Sequence, residues 1–478
     1  MPIPAHGLPA EELFRRLEMY KERDVSWRAG KILTGIYDPG GETEAVVKEA
    51  YTRFLTENAL YPNLFPSLLQ LENEVVRMVV DLLQGDGEVV GNCTSGGTES
   101  IMLAVKSVRD KARVERPEIS MPEIVLSQTA HPAFHKAAHY LGLKTIVTPF
   151  DLQSFRADPA AMRQAITPNT ILLVASAPCY SHGVIDPISE IAEIAREHNL
   201  CFHVDACVGG IHLSLLRKAG YPIPPFDLSV PGVTSLSVDM HKYGYAPKNV
   251  SVILYRQRAL RRYAFFASAE TTSYSVLNTT VLSSKSGGPV AGAWAALNYL
   301  GEDGYLRIVR EVSEATRQML EGILELDDVY VLGEPAMCMF ALASRTLNIF
   351  ELDDEMTRRG WTLQPQFSAG GGPANLHVSV HYSTVGHVAE FLQALRESIA
   401  TLKERGNAGA QEALALKAEV ERLMAQPDAE TFARIVALAG VEPGRLPSNF
   451  ARINTVLDAL PDSLVGTLLL EYLNSLYA

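Results

Sequence analysis

The sequence predicts an α/β protein with a mostly parallel central sheet, a smaller α+β domain after it, and a helical tail. Three observations lead there. From about 90 to 255, short β-rich runs alternate with helical segments, the mark of βαβ units. Beyond about 310 the pattern changes to helix, strand, helix, strand with shorter runs. Past about 407 only helical periodicity remains.

In chain order, residues 8 to 24 and 44 to 56 carry apolar residues at helical spacing, and "SLLQLENEVVRMVVDLLQ" (67 to 84) is strongly amphipathic. Between them "GKILTGIYDPGG" and "ENALYPNLFPS" are rich in Gly and Pro and read as loops. The strands of the large sheet are "EIVLSQ", "KTIVTPF", "TILLVASAP", "CFHVDAC" and "SLSVD", with "NVSVILY" returning after the last. Their continuous apolar character requires cover on both faces. "PAFHKAAHYLG" and "ISEIAEIAREHN" are two of the covering helices. "VYVLGEPAMCMFALAS", "NIFELDDEMTRRG", "WTLQPQ" and "NLHVSVHY" build the small domain, which a helix over 384 to 405 closes. The tail helices break at "QPDAE" and "VEPGRLPSN". Four segments follow: 1–85 helical, 86–305 large α/β, 306–405 small α+β, and 406–478 a helical extension.

Composition limits the function classes. The chain has 478 residues, 47% hydrophobic and 20% charged, which is enough for a large core. A formal charge of -13 argues against a nucleic-acid or anionic-membrane partner. No secretory leader and no apolar run of spanning length is apparent, so a cytoplasmic protein without a membrane anchor is expected. Five scattered cysteines without a CxxC pair exclude a disulfide framework and a zinc ribbon, and no metal site is expected.

Ligands of open α/β sheets bind beyond the carboxyl ends of the strands. The unusual residues collect there. "GNCTSGGTES" places Gly97 and Thr98 at a helix start, an anion site or a plain glycine turn. "TAHPAF" puts His131 after a strand, where a capping role is the plain alternative. "FHVDACVGG" ends on Asp205, a carboxylate too costly to bury without a cationic or hydrogen-bonding partner. "SVDMHKYGYAPKNV" sets Lys242 at the next strand end. An anion site, an aromatic ring, a buried acid and a strand-end lysine on one face suit pyridoxal 5'-phosphate. The lysine forms the Schiff base, the acid pairs the pyridinium nitrogen, and the helix start takes the phosphate.

"TSGGTESI", "AHPAFHKAA", "SAPCYSHGVIDPI", "HVDACVGG", "GVTSLSVDMHKYGYAPKNVSVILY" and "SGGPVAGAWAALNYLGEDGY" together resemble the sphingosine-1-phosphate lyases. These are group II decarboxylase-like, fold-type I pyridoxal-phosphate enzymes, and the resemblance runs from about 25 to 400. It implies Lys242 as Schiff-base lysine, Asp205 on the ring nitrogen and His131 stacked on the ring. Gly97, Thr98 and His241 would hold the phosphate, with Ser284 reaching in from a second subunit. Lys248 and Tyr180 match residues serving the substrate phosphate and the carbon–carbon cleavage, with His182 and Lys285 as further candidates near the phosphate. Tyr37 matches a tyrosine contributed by the partner subunit, and with Tyr61 and Ser284 it implies a homodimer with shared sites.

The chain departs from that pattern where the substrate head would sit. "NALYPNLFP" has Tyr61 and Asn63 for a histidine and an aspartate, and "SKSGG" has Lys285 for an arginine. An ammonium does not reproduce the planar fork of a guanidinium. The activity implied is cleavage of the Cα–Cβ bond of a phosphorylated long-chain amino alcohol. The alternatives are an amino-acid decarboxylase on the same scaffold and a catalytically silent scaffold protein.

Overall fold

The computed structural model describes residues 3–270, 274–406, 408–425, 431–439 and 450–476. Strands β1 (Val90–Thr94), β2 (Glu123–Ser127), β3 (Lys144–Thr148), β4 (Thr170–Ser176), β5 (Cys201–Asp205), β6 (Ser235–Val238) and β7 (Ser251–Tyr255) form one sheet. Its order is β1-β7-β6-β5-β4-β2-β3, and only β7 runs against its neighbours. β1, β2, β4, β5 and β6 therefore end on the same edge.

Period-two alternation sorts the strand residues onto two cores. Ile124, Leu126, Leu172, Val174 and Ile253 face the helices Gly97–Glu115 and Ala133–Leu141. Val125, Leu173, Ala175, Val204 and Leu236 face the other side, with Ile191 and Leu213 of the helices Ile188–Glu197 and Gly209–Lys218. Fully burying each such side chain contributes about 1.5–3 kcal/mol. β1 is a strand that propensity conceals, because its "VGNCT" contains Gly and Asn. The glycine is required: a Cβ on Gly91 would lie 2.6 Å from the Ile253 carbonyl oxygen of β7.

β8 (Phe266–Ser268) and β9 (Val276–Asn278) form a short hairpin whose "SAETTSYSVLNTT" loop lies partly outside the described residues. β10 (Val329–Val331), β11 (Met339–Ser344), β12 (Gln364–Gln366) and β13 (Asn375–Ser379) make the small antiparallel sheet, in the order β10-β11-β13-β12. Helices Ile349–Arg358 and Val388–Glu404 cover it. Two helices meet at a kink at Gly301 (φ 57°) within Gly288–Leu324, and the boundary expected between 305 and 306 lies a few residues into the second of them.

The amino-terminal segment is tied to the small sheet. The Leu33 N–H donates to the Thr362 carbonyl at 2.8 Å, and the Ser379 N–H donates to the Leu33 carbonyl at 2.7 Å. Leu33 itself is fully buried. The segment around 31–34 thus lies on the small sheet and delivers Thr34 and Tyr37 to the sheet edge. In the tail, the helices Ala408–Ala425, Thr431–Leu438, Phe450–Asp458 and Asp462–Leu476 share a separate core around Val420, Ile435 and Val456. The tail docks on the small domain through Ala451, whose N–H donates to Asp354 at 3.2 Å. Both breaks expected in the tail, "QPDAE" and "VEPGRLPSN", lie outside the described residues. Among the described residues no helix is long and apolar enough to cross a membrane.

Candidate active site

A cavity of about 340 Å³ opens at the shared strand edge, lined by Gly96, Gly97, Thr98, His131, Asp205, Cys207, Asp239, His241 and Lys242. Five of the residues picked from sequence therefore meet Lys242 in one place: Gly97, Thr98, His131, Asp205 and His241.

Lys242 follows β6 by a few residues, and its ammonium is bonded to Asp239 at 2.8 Å. Burial works against the lysine's charge, but Asp239, with smaller help from Cys207 and Tyr37, raises its pKa above the ordinary value. The carboxyl of Asp239 is itself opposed by burial, yet Lys242 and His241 hold it below the usual range. Ser251 of β7 donates to the other carboxylate oxygen at 2.5 Å, fixing the acid from the antiparallel strand. Asp239 was not singled out from sequence. The signal was its place three residues before the lysine, one turn away across a tight loop.

Asp205 closes β5 and accepts the Cys207 N–H at Oδ1, 3.0 Å. Both hydrogen bonds it receives among the described residues fall on Oδ1, the second from Ser237 at 3.5 Å. The other oxygen is left for a ligand in the cavity. Beneath it His203 is clamped between Ser235 (2.9 Å) and Ser237 (3.1 Å). Burial lowers the His203 pKa to about 4, against the pull of Asp205, so the imidazole is neutral near pH 7.

At the helix start, Gly97 could carry no side chain: a Cβ would lie 2.7 Å from Asp239 Oδ1 and 2.9 Å from Cys207 Sγ. Gly96 adopts φ 152°, a conformation side chains disfavour. First-turn N–H groups have no intrahelical acceptor and attract an anion. Glu99 takes up the Ser95 N–H at 2.5 Å and also accepts from Val281, which ties the 281–285 loop to this helix start. His241 Nδ1 is 2.9 Å from the Val250 carbonyl and donates to it. Its Nε2, 3.7 Å from Asp239, therefore donates to a phosphate only as the imidazolium, a form that burial opposes by lowering the pKa and Asp239 favours. His131 accepts the Ala133 N–H at Nδ1, 3.1 Å, so it caps the helix and lines the cavity at once.

Lys248, Tyr37 and Tyr180 form a second cluster beside Lys242. Lys248 Nζ lies 5.0 Å from the Tyr37 ring centre. Desolvation there, with the Lys242 charge, lowers its pKa although the residue as a whole is exposed. The Tyr180 ring stacks on His377 at 4.1 Å, and its phenol bonds Gln364 at 2.6 Å. Burial raises the Tyr180 pKa, and the Lys242 charge opposes the rise.

Two placements differ from expectation. Tyr37 was expected in the partner's site, but it packs edge-on to Tyr243 of its own chain at 5.1 Å, because the 31–34 segment is anchored on the same chain's small domain. His182 turns away from the site and packs on Phe155 at 4.6 Å, kept neutral by burial, which lowers its pKa to about 4. Tyr61 and Ser284, expected to reach a second subunit's site, lie outside this chain's own cavity, as does Lys285; the Lys285 carbonyl accepts from Ala59 at 2.9 Å, and Asn58 donates to Ser284 at 3.3 Å. Sequence reasoning also missed Thr34, Gln364 and His377, which surround Tyr180.

The cradle at Gly97, the open Asp205 oxygen and the strand-end lysine fit pyridoxal 5'-phosphate. Comparison with known proteins agrees. Residues 27–343 match the family described as the pyridoxal-dependent decarboxylase conserved domain. Residues 407–475 match a pyridoxal-dependent enzyme C-terminal putative HTH domain. Fold and site together define a pyridoxal-phosphate enzyme of the decarboxylase superfamily. A sphingosine-1-phosphate lyase of Arabidopsis thaliana is 42% identical over 409 residues, 84% of this chain and 74% of the relative. The structure of a Burkholderia pseudomallei sphingosine-1-phosphate lyase matches with a TM-score of 0.81 and 35% identity, covering 90% of this chain and 98% of that one. A probable L-aspartate decarboxylase of Pyrococcus abyssi is 32% identical, covering 83% of this chain and 98% of the relative. The chain belongs to the sphingosine-1-phosphate lyase family.

Replacing Asp239 by Asn leaves the Lys242 ammonium buried without its counter-charge. We expect the cofactor-free protein to lose about 3 kcal/mol of stability at pH 7 by denaturant titration. Because the folded pKa of Asp239 is depressed, its contribution is present above about pH 4 and lost as acid titrates it. The gap between wild type and variant should therefore narrow below that pH. An equal stability at pH 7 would show that the pair contributes nothing.

Proposed function

We propose that this chain cleaves the Cα–Cβ bond of a phosphorylated long-chain 2-amino-3-hydroxy compound, of the sphingosine-1-phosphate type, to a fatty aldehyde and phosphoethanolamine. The observation that carries the reading is Lys248, a second ammonium beside Lys242 that makes no ion pair among the described residues. A lyase needs cationic and hydroxyl groups near a phosphate dianion, whereas a decarboxylase would call for an arginine-like clamp on its substrate, so Lys248 favours the lyase. The sequence relatives support the same reading.

In this account Lys242 holds the cofactor, and Asp239 and Ser251 orient it. Asp205 pairs the ring nitrogen, with His203 neutral below it so that no competing positive charge draws on the acid. Gly97, Thr98 and His241 receive the cofactor phosphate, and His131 covers the ring. When bound, the cofactor supplies the sink for the electron pair of the breaking bond. Lys248 and the Tyr37 ring orient the substrate phosphate, while Tyr180 meets the 3-hydroxyl.

Tyr61, Ser284 and Lys285 enter the account through a second copy of the chain. The helix Ala10–Lys21 buries no residue and exposes Phe14 (63%) and Tyr20 (71%), and the hairpin exposes Leu277 (72%). Apolar surface of this extent fits a protein–protein contact. Obligate homodimers bury upwards of about 2,000 Å².

Holoenzyme incubated with the phosphorylated amino alcohol should release aldehyde, and with an amino acid it should release no CO2. Lys248→Ala should raise KM for the phosphorylated substrate by about one to two orders of magnitude, the loss of one charge-assisted contact. Release of CO2 without aldehyde would select the decarboxylase reading instead. Sedimentation should give a dimer at micromolar concentration, and Phe14→Glu should weaken it together with turnover. A fully active monomer would refute the shared site.

A further inference from the structure

The surroundings of Tyr180 restrict where its proton points. Tyr180 Oη lies 2.6 Å from Gln364 Oε1, Thr34 Oγ1 lies 2.8 Å from the same oxygen, and the two hydroxyls are 3.3 Å apart. Each hydroxyl carries one proton, and a carboxamide oxygen accepts two hydrogen bonds. Gln364 can therefore take both protons, over shorter distances than the hydroxyl–hydroxyl contact, in which either oxygen could donate. In that arrangement the phenol oxygen keeps its lone pairs free and is an acceptor toward the active site.

Backbone geometry produces this arrangement. Alternate residues of a strand share a face, and β12 uses two of them on one loop: Gln364 takes the Tyr180 proton while Gln366 Nε2 donates to the Ser181 carbonyl at 3.0 Å. His377, the register partner of Gln364 on β13, stacks on the Tyr180 ring at an interplanar angle of 25°. It is fully buried, bonds Ser379 at 2.7 Å and fixes the plane of the ring. Thr34 arrives on the segment bonded to Thr362 and Ser379. The loop is held from behind as well: the Ala336 N–H donates to the Gly183 carbonyl at 2.8 Å.

We infer that Gln364 and Thr34 are positioning residues that commit the Tyr180 proton, so that the phenol oxygen accepts a hydrogen bond from the 3-hydroxyl of the substrate and selects for compounds carrying it. The inference rests on the lyase reading for the identity of the hydroxyl, though the selection for a hydroxyl is tested separately. A site whose buried polar group is matched to a substrate hydroxyl discriminates against the analogue lacking it.

The test uses holoenzyme, a long-chain 2-amino-3-hydroxy 1-phosphate, and its 3-deoxy counterpart. Stopped-flow absorbance of the bound cofactor gives the affinity of each ligand, and aldehyde release gives kcat. Wild type should favour the hydroxylated ligand by about tenfold, the effect of one matched hydrogen bond. Gln364→Leu should reduce that preference to about twofold and kcat by about 10–100-fold, with cofactor content unchanged. Gln364→Glu, whose oxygen still accepts both hydroxyl protons, should recover most of the preference and most of kcat. A merely structural role would not separate the two variants. Equal preference in wild type and Gln364→Leu, or a Gln364→Glu protein as impaired as Gln364→Leu at equal cofactor content, overturns the inference. A wild type that favours the hydroxyl yet releases no aldehyde contradicts the lyase reading and leaves the positioning role standing.

Discussion

The ammonium of Lys242 sits at the end of a buried strand, and the fold around it is arranged to keep it there. Such a group is tolerated only when paired. The pairing acid, Asp239, is fixed by a serine from β7, the strand of the large sheet that runs against both its neighbours. That antiparallel strand follows directly from the loop carrying Lys242 and Lys248, so the sheet returns to brace its own lysine-bearing turn. Even the absence of a side chain at Gly97 follows from this pair, since a Cβ there would press on Asp239.

The second half of the site depends on contacts distant in sequence. The large sheet supplies the cavity, but Tyr180 is oriented by the small sheet and by a segment near the amino terminus. Gln364 and His377 come from neighbouring strands β12 and β13, and Thr34 rides on the segment that pairs with Thr362. Movement of the small domain relative to the large one would therefore change the surroundings of Tyr180 before it changed those of Lys242. On the proposed reading, cofactor binding and substrate handling are carried by different parts of the chain.

Much of the first half was legible in the sequence. The runs "TILLVASAP" and "CFHVDAC" are strands because their apolar residues face helices on both sides, and Asp205 and Lys242 stand out as charges ending such runs. β1 was hidden because glycine and asparagine lower its propensity, while the close approach of Ile253 makes that glycine necessary. Asp239 was hidden in plain view: an acid near a lysine is common, and only the fold shows that the acid is buried against a half-buried lysine. Gln364, Thr34 and His377 carry no local signal at all. Their proximity to Tyr180 is set by strand register and by the amino-terminal segment, and neither is written in local periodicity. The placement of Tyr37 went astray for the same reason, as the contact that anchors it, between Leu33 and Thr362, spans most of the chain.

The claim on which the account rests is that Lys242 carries the cofactor. Borohydride reduction of the holoenzyme, followed by digestion and mass spectrometry, measures this directly. The account predicts a pyridoxyl mass addition on the peptide containing Lys242, and none on Lys248 six positions later. Addition on Lys248, or on neither lysine, would contradict it.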